Sequence, residues 1–331
     1  MDLGLTLPLR GARTWAFFDY SYRTRADPDY LALQWRRAGI AALHVSAWHF
    51  HDSDPQRDAY LEKLIAACHR QAVLVYAWLE LPHVSEVFWE QNARCREKTV
   101  SLQDARLDWR KLINLAEPGC SELVGKGITN LLSRFDWDGV NLAELYFESL
   151  HGPSNPQRFT PMNDWVRADY VRQAGIDPMD LLEPESPHFW SRNQRAWRRF
   201  VDYRAELTLR LQRSYLELIR SNHPRLDIVL TQIDDRFDTR MRELLGADTS
   251  KLLPLAEEYD FQLVIEDPAT LWNLGPQRYT EIAKRYQPLA PDPSRLVIDI
   301  NIVERYQQTY PTKKQVGTEL LQLVNTAGEA F

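Results

Sequence analysis

The sequence predicts an α/β fold of the (β/α)8, TIM-type barrel class. Three observations carry this. Short, continuously apolar runs of strand-forming residues alternate with segments whose apolar residues recur at helical spacing, which implies a parallel sheet covered by helices. The chain has 331 residues, which suits one barrel of ~250 residues with insertions. All but one of the apolar runs end in carboxylates, and parallel α/β enzymes present their chemistry at strand C-terminal ends.

In order, residues 14–20 (TWAFFDY) form the first strand candidate, ending at Asp19. A helix starts at Asp27-Pro28 and stops before Gly39, with proline just inside the start and glycine at the end. Residues 40–50 are the second strand and lead to Trp48, His49 and His51. Residues 55–70 place Tyr60, Leu61, Leu64, Ile65 and Cys68 on one helical face. Residues 73–81 are the third strand, with Trp78 and Glu80. A long excursion, 82–117, follows and contains Trp109 and Arg110. A helix over 121–134 feeds strand four, which begins after the turn at Asp138-Gly139. Read as one strand, 139–148 puts Glu144 and Glu148 on the face of Val140, Leu142 and Tyr146.

Residues 149–189 read as a second long, proline-rich irregular segment. Long loops after strands three and four fit a barrel, where active-site loops grow at that end. A strongly helical stretch, 190–222, leads to strand five (227–235, ending in Asp234 and Asp235). Strand six (261–267) ends in Glu266 and Asp267, and strand seven (296–302) carries Asp299 and Asn301. A last helix starts at 313. A closed barrel of this class has eight strands. The eighth is therefore missing or beyond the chain end, so residues 1–331 form one barrel domain that is open, differently closed, or a fragment of a longer protein.

Net charge is −6, which argues against nucleic acid as a partner, because that requires basic patches. Arg192, Arg195, Arg198 and Arg199 cluster locally, and at helical spacing they read as a solvated face. No run is long and apolar enough to be a membrane segment. The start lacks the basic, then apolar pattern of a signal peptide. The location is extracytoplasmic if the chain is excised from a secreted protein and otherwise cytoplasmic. Three cysteines at irregular spacing read neither as a disulfide framework nor as a metal site, with one incidental bridge left open and Cys68 in the core. No cofactor is expected. There is no nucleophile elbow or dinucleotide fingerprint, and only 13 glycines are available for phosphate cradles.

The strand ends gather Asp19, Glu80, Glu144, Glu148, Asp234, Asp235, Glu266, Asp267 and Asp299, with no Lys or Arg at the ends themselves. Crowded carboxylates raise one another's pKa, and a chain that keeps them binds a cation or performs acid–base chemistry. A divalent metal would use His49, His51 and the acids, but no third ligand is fixed by spacing; the bland role of these histidines is loop hydrogen bonding. Glycoside cleavage needs two carboxyls about 5 to 9.5 Å apart. The 11 tryptophans supply flat apolar faces for sugar rings. Trp48, Trp78 and Trp272 are candidate walls, although Trp78 reads equally as core and Trp272 as loop.

Trp35 to Ile40 (WRRAGI), Val73 to Trp78 (VLVYAW), Asp108 to Leu115 (DWRKLINL) and Asp138-Gly139-Val140 together resemble bacterial glycoside-hydrolase-like barrel domains, which often belong to proteins handling polysaccharides. The resemblance is diffuse and covers most of the chain. In the large retaining-glycosidase superfamily the acid/base ends strand four and the nucleophile ends strand seven. The resemblance therefore implies Glu144 as acid/base and Asp299 as nucleophile, with Glu266 competing. Asp19, Trp48, His49, Trp78, Glu80, Glu148, Asp234, Asp235, Trp272 and Asn301 are the expected substrate-binding residues. The sequence departs from the pattern where Ala143 precedes Glu144 in place of asparagine, and where strand seven carries Asp299 in place of glutamate. The expected activity is polysaccharide or oligosaccharide hydrolysis by paired carboxylates on a carbohydrate substrate. The alternatives are a non-catalytic carbohydrate-binding barrel joined to further domains of the same polypeptide, and a metal-dependent hydrolase.

Overall fold

The computed structural model describes residues 14–20, 24–47, 54–301 and 316–331. Seven strands form one all-parallel sheet in sequence order: β1 (Thr14–Phe18), β2 (Ile40–Ser46), β3 (Leu74–Glu80), β4 (Gly139–Ala143), β5 (Asp227–Ile233), β6 (Phe261–Glu266) and β7 (Leu296–Ile298). The main helices are α1 (Pro28–Arg37), α2 (Pro55–Arg70), α3 (Pro118–Arg134), α4 (Asp164–Ala174), α5 (Gln194–Asn222), α6 (Gln277–Tyr286) and α7 (Gly317–Ala330). Among the described residues no eighth strand follows β7, and no ladder joins β7 to β1.

Helix starts follow the local chemistry. Asp27 accepts the Tyr30 N–H at 2.9 Å and Asp54 accepts those of Gln56 and Arg57, each with proline at the first helical position. The α3 helix begins at Pro118, about a turn earlier than its apolar pattern suggests, because a proline is already set for that position.

Alternation along the strands makes two cores. Leu43, Val45, Val75, Ala77, Leu79, Val140, Leu142, Ile228, Leu230, Leu263 and Ile265 face the helices, where they pack with residues such as Leu64, Ile128 and Leu216. The other face is concave. Strands two apart in a sheet lie ~9.6 Å apart, yet their side chains meet: Trp15 of β1 stacks over Tyr76 of β3 with centroids 6.4 Å apart. His44 of the intervening β2 closes a triangle with these rings, 5.1 Å from Trp15 and 5.0 Å from Tyr76. It also reaches Asn141 of β4 at 3.2 Å. Asn141 and Thr231 of β5 exchange hydrogen bonds of 2.9 and 3.0 Å. Burial holds the His44 imidazole down to about 3, so it is neutral. Gly139 sits opposite Tyr76 in the ladder, where a Cβ would come within 2.2 Å of the tyrosine ring. Only glycine lets that ring cross β4 and donate to Asp227 of β5 at 2.9 Å.

Two expectations are corrected, and the single bridge left open by the cysteine spacing is found. The run through Glu148 is not one strand: β4 ends at Ala143, and Glu144 takes a left-handed φ of 54°. Residues 149–189 are not irregular. They carry α4 and build a second apolar cluster, in which Phe159, Met162, Val166 and Tyr170 pack on Trp197, Phe200 and Tyr203 of α5. Fully buried Arg204 ties this unit down through Ser149 Oγ at 2.9 Å and the carbonyls of Thr160, Glu243 and Leu244. Finally, Cys95 and Cys120 form a disulfide, with Cα atoms 5.5 Å apart, that links the excursion after β3 to the first turn of α3. Their spacing could not show this, because the approach is made by the fold of the excursion. Cys68 is a buried free thiol, as the helical pattern implies.

Candidate functional site

The site lies at the C-terminal ends of the strands. Glu80 is the last residue of β3 and shares the concave face with Tyr76 and Trp78. Extended backbone would turn Glu144 outward with Val140 and Leu142. Its left-handed φ turns the side chain to the other side, and its N–H stays bonded to the Thr231 carbonyl at 3.1 Å. Non-glycine residues rarely adopt this conformation, and those that do cluster at functional sites.

The excursion supplies the cation. A short ribbon pairs Arg106–Leu107 with Arg110–Lys111 and delivers Arg110 under the mouth. The Arg110 Nη1 donates to Glu144 Oε2 at 2.8 Å and to Glu148 Oε1, and its Nε lies 3.8 Å from Glu80 Oε1. The side chains are 8% exposed for Arg110 and 7, 19 and 12% for Glu80, Glu144 and Glu148, so water screens these charges little. Arg110 was absent from the expected site. Its signal was indirect: a ring of acids without a counter-charge at the strand ends needs one from a loop.

Glu266 ends β6, and Asp299 follows β7 with its N–H held by the Ile265 carbonyl at 2.9 Å. Glu266 Oε2 is buried without a hydrogen-bond partner. Burial first, then the charges of Glu144, Asp299, Asp267 and Glu80, push the Glu266 carboxyl well above the usual range. Burial raises Asp299 to about 6. Burial also raises Glu144, with Arg110 opposing it and Glu148 and Asp299 adding to it. Glu80 is raised well above its usual value by burial and then Glu144, again against Arg110. Glu80, Glu144 and Glu148 thus gather on the Arg110 guanidinium, while Glu80, Glu144, Glu266 and Asp299 are all shifted toward their protonated forms.

The remaining expected residues divide. Asn301 Nδ2 lies 3.3 Å from Asp299 Oδ2 and 3.5 Å from Asp267 Oδ1, and Asp267 is in a buried ion pair with Arg278. Asp19 accepts from Ser46 Oγ at 2.9 Å. The Asp234 carboxylate is engaged by the backbone N–H groups of Arg236, Phe237 and Asp238. Asp235 accepts from the Thr249 N–H at 2.9 Å and from the Tyr286 hydroxyl at 3.2 Å. Both aspartates shape the turn after β5. Trp78 is half-buried, edge-on to Phe17 at 5.2 Å and to His44 at 6.0 Å. Trp272 is tethered by its indole N–H to the Asp267 carbonyl at 3.0 Å. Trp48, His49 and His51 lie outside the described residues. Among the described residues, no three His, Cys, Asp or Glu side chains are grouped to hold a metal ion, and no helix is long and apolar enough to cross a membrane.

No protein-family model and no curated protein matches the sequence. Solved structures do match in fold. The β-galactosidase from the psychrophilic Marinomonas ef1 superposes with a TM-score of 0.62 at 12% identity, over 95% of this chain and 52% of that one. The β-galactosidase from the Antarctic haloarchaeon Halorubrum lacusprofundi gives 0.62 at 10%, over 96% of this chain and 58% of that one. The PgaB (BpsB) glycoside hydrolase domain from Bordetella bronchiseptica gives 0.53 at 10%, over 87% of this chain and 93% of that one. The chain spans about half the length of the β-galactosidases it superposes on. At these identities the likeness is one of fold: a curled parallel α/β sheet of the kind glycoside hydrolases use.

Proposed function

We propose that the protein is a glycoside hydrolase acting on an oligosaccharide or polysaccharide through paired carboxyl groups at the strand ends. The observation that carries this reading is the unequal treatment of neighbouring acids. Glu144 is bound directly by Arg110, which favours its ionised form. Glu266 has a buried, unpartnered oxygen, and the acids around it favour its protonated form. Both carboxyls are raised by burial, but the cation beside Glu144 opposes the rise there while the acids around Glu266 add to it, and unequal environments of this kind define an acid and a base. Glu266 is then the proton donor to the leaving oxygen, and Glu144 is the ionised partner that attacks the sugar or activates water. This exchanges the roles that family resemblance implies for Glu144. Asp299, with Asn301 beside it, is the further acid that keeps Glu266 protonated.

The test is turnover on a polysaccharide and oligosaccharide panel. Release of new reducing ends by the wild type, and its loss in both Glu144→Gln and Glu266→Gln, supports the assignment. Unchanged turnover in either variant removes that residue from the mechanism. A second reading, a barrel that binds carbohydrate without cleaving it, is favoured by the contacts of Arg110 with Glu144 and Glu148, which tie up two acids in one ion-pair network. Glycan binding without any release of reducing ends would select it.

A further inference from the structure

The joint between the excursion after β3, the loop after β4 and α5 carries polar groups that the acid–base chemistry does not use. Glu97 belongs to the excursion. Its N–H donates to the Leu112 carbonyl at 2.9 Å and its carbonyl accepts from the Ala105 N–H at 2.8 Å, so it lies in the same small set of pairings that delivers Arg110. The Asn114 N–H donates to the Cys95 carbonyl at 2.8 Å, and this register puts the side chains of Glu97 and Asn114 on one face of the pairing. Thr160 stands in the loop after β4, and Arg204 and Thr208 lie one turn apart on one face of α5. All five residues are at most 2% exposed. Yet Glu97 Oε1, both Asn114 amide atoms, Thr160 Oγ1, Arg204 Nε and Thr208 Oγ1 have no hydrogen-bond partner within the chain. They are six of the fourteen such buried side-chain atoms among the described residues, and folded chains leave few, so this concentration at one joint points to internal solvent.

Beside these groups lies a cavity of about 10 Å3, room for one water molecule. Glu97 and Thr208 line it, together with Leu145, Tyr146 and Phe147, the segment between Glu144 and Glu148. An unpartnered oxygen thus reaches the cavity wall from the excursion and another from α5. Burial raises the Glu97 carboxyl to about 8; Glu148 adds to this, and Thr160, Arg204 and Arg110 oppose it. At neutral pH the carboxyl therefore keeps its proton and offers a neighbour a donor as well as an acceptor.

We propose that a single internal water molecule is a built part of this joint, held between the Glu97 carboxyl and the Thr208 hydroxyl. It ties the excursion that carries Arg110 to α5, behind the segment that runs from Glu144 to Glu148. The proposal goes beyond the carbohydrate reading and does not depend on it.

The experiment is chemical denaturation of the full chain at neutral pH, with Thr208→Val made in the wild type and in Glu97→Gln and Glu97→Leu backgrounds. The sign of the effect discriminates. A hydroxyl buried against a dry wall costs stability, so exchanging it for a methyl raises the ratio of folded to unfolded chain. A hydroxyl that holds a water loses that hydrogen bond on exchange, and the ratio falls. Thr208→Val is expected to lower the ratio by roughly fivefold or more in the wild type. The loss should persist in the Glu97→Gln background, where the amide still holds the water, and shrink in the Glu97→Leu background, where the water has already lost one of its two holders. A wild-type crystal structure should show one ordered solvent molecule within hydrogen-bond distance of both side chains, missing in Thr208→Val. An unchanged or higher ratio in Thr208→Val, the same loss in the wild-type and Glu97→Leu backgrounds, or wild-type crystals without ordered solvent between Glu97 and Thr208 overturns the proposal. The wild-type crystal keeps the test independent of how any variant folds.

Discussion

The Arg110 Nη1 lies 2.8 Å from Glu144 Oε2. One comes from a ribbon inside a long excursion and the other from a left-handed residue just past β4. Removing the cation leaves Glu80, Glu144 and Glu148 facing each other. Arg110→Met is expected to raise the Glu144 pKa further, because the lowering contribution is lost and burial remains. The acid side of the activity profile should then move to higher pH, and kcat at neutral pH should fall at least a hundredfold. Arg110→Lys should fall between, since one ammonium cannot serve two carboxylates and a third acid in the same planar arrangement. A pH–rate profile of the three proteins checks this.

Glu266 and Glu144 should separate by leaving group. A dinitrophenyl glycoside leaves without protonation, while an alkyl or sugar leaving group needs an acid. Glu266→Gln should therefore retain most activity on the activated glycoside and lose at least a thousandfold on an oligosaccharide, whereas Glu144→Gln should lose both. Activity needs Glu144 ionised and Glu266 protonated. It should rise as pH passes the Glu144 pKa, which lies above the ordinary carboxylate value, and fall as pH passes that of Glu266. Equal losses on both substrates in both variants would refute the division of roles.

The Cys95–Cys120 bridge joins cysteines 25 residues apart in sequence, worth about 3.5 kcal/mol on chain-entropy grounds. Replacing both cysteines by serine should lower the melting temperature. It should also lower activity more than stability alone explains, since Arg110 is carried by the tethered excursion. Both sulfurs are buried, so reductant should act only after unfolding. Thermal melts with and without reductant, alongside kcat, test this.

Glu97 is 2% exposed, with Oε1 lacking a hydrogen bond, and burial raises it to about 8. In the folded chain it holds its proton from about 4.5 to 8, a range in which the unfolded chain has already released it. Stability from this group is thus greatest at low pH and declines by up to ~1.4 kcal/mol per pH unit across that window. Glu97→Gln should be more stable than wild type at pH 8 and have a flatter stability profile. Chemical denaturation at pH 5 and pH 8 measures it.

Much of the fold was legible because it repeats. Apolar runs between capped helices recur, and each strand of the sheet was located to within a few residues. The ends were harder: the run after β4 has strand-like composition, but the extended backbone stops at Ala143, and no propensity reveals the turn at Glu144. Candidate acids were visible as a class, since they sit where the runs end. Their sorting was not. Asp234 is engaged by its own turn and Glu266 lacks a hydrogen bond to one oxygen, and that difference depends on neighbours supplied by other loops. Arg110 and the Cys95–Cys120 bridge were hidden for the same reason, because both are set by how the excursion after β3 folds back over the sheet.

Beneath the acids, Trp15, His44 and Tyr76 lie stacked across the hollow of the sheet, with Asn141 and Thr231 hydrogen-bonded alongside. These side chains fill the hollow of the described sheet beneath the acids. On the proposed reading a polymer therefore meets the carboxyls from the strand ends and is not threaded along the sheet axis, and digestion should yield mixed fragment lengths from the outset.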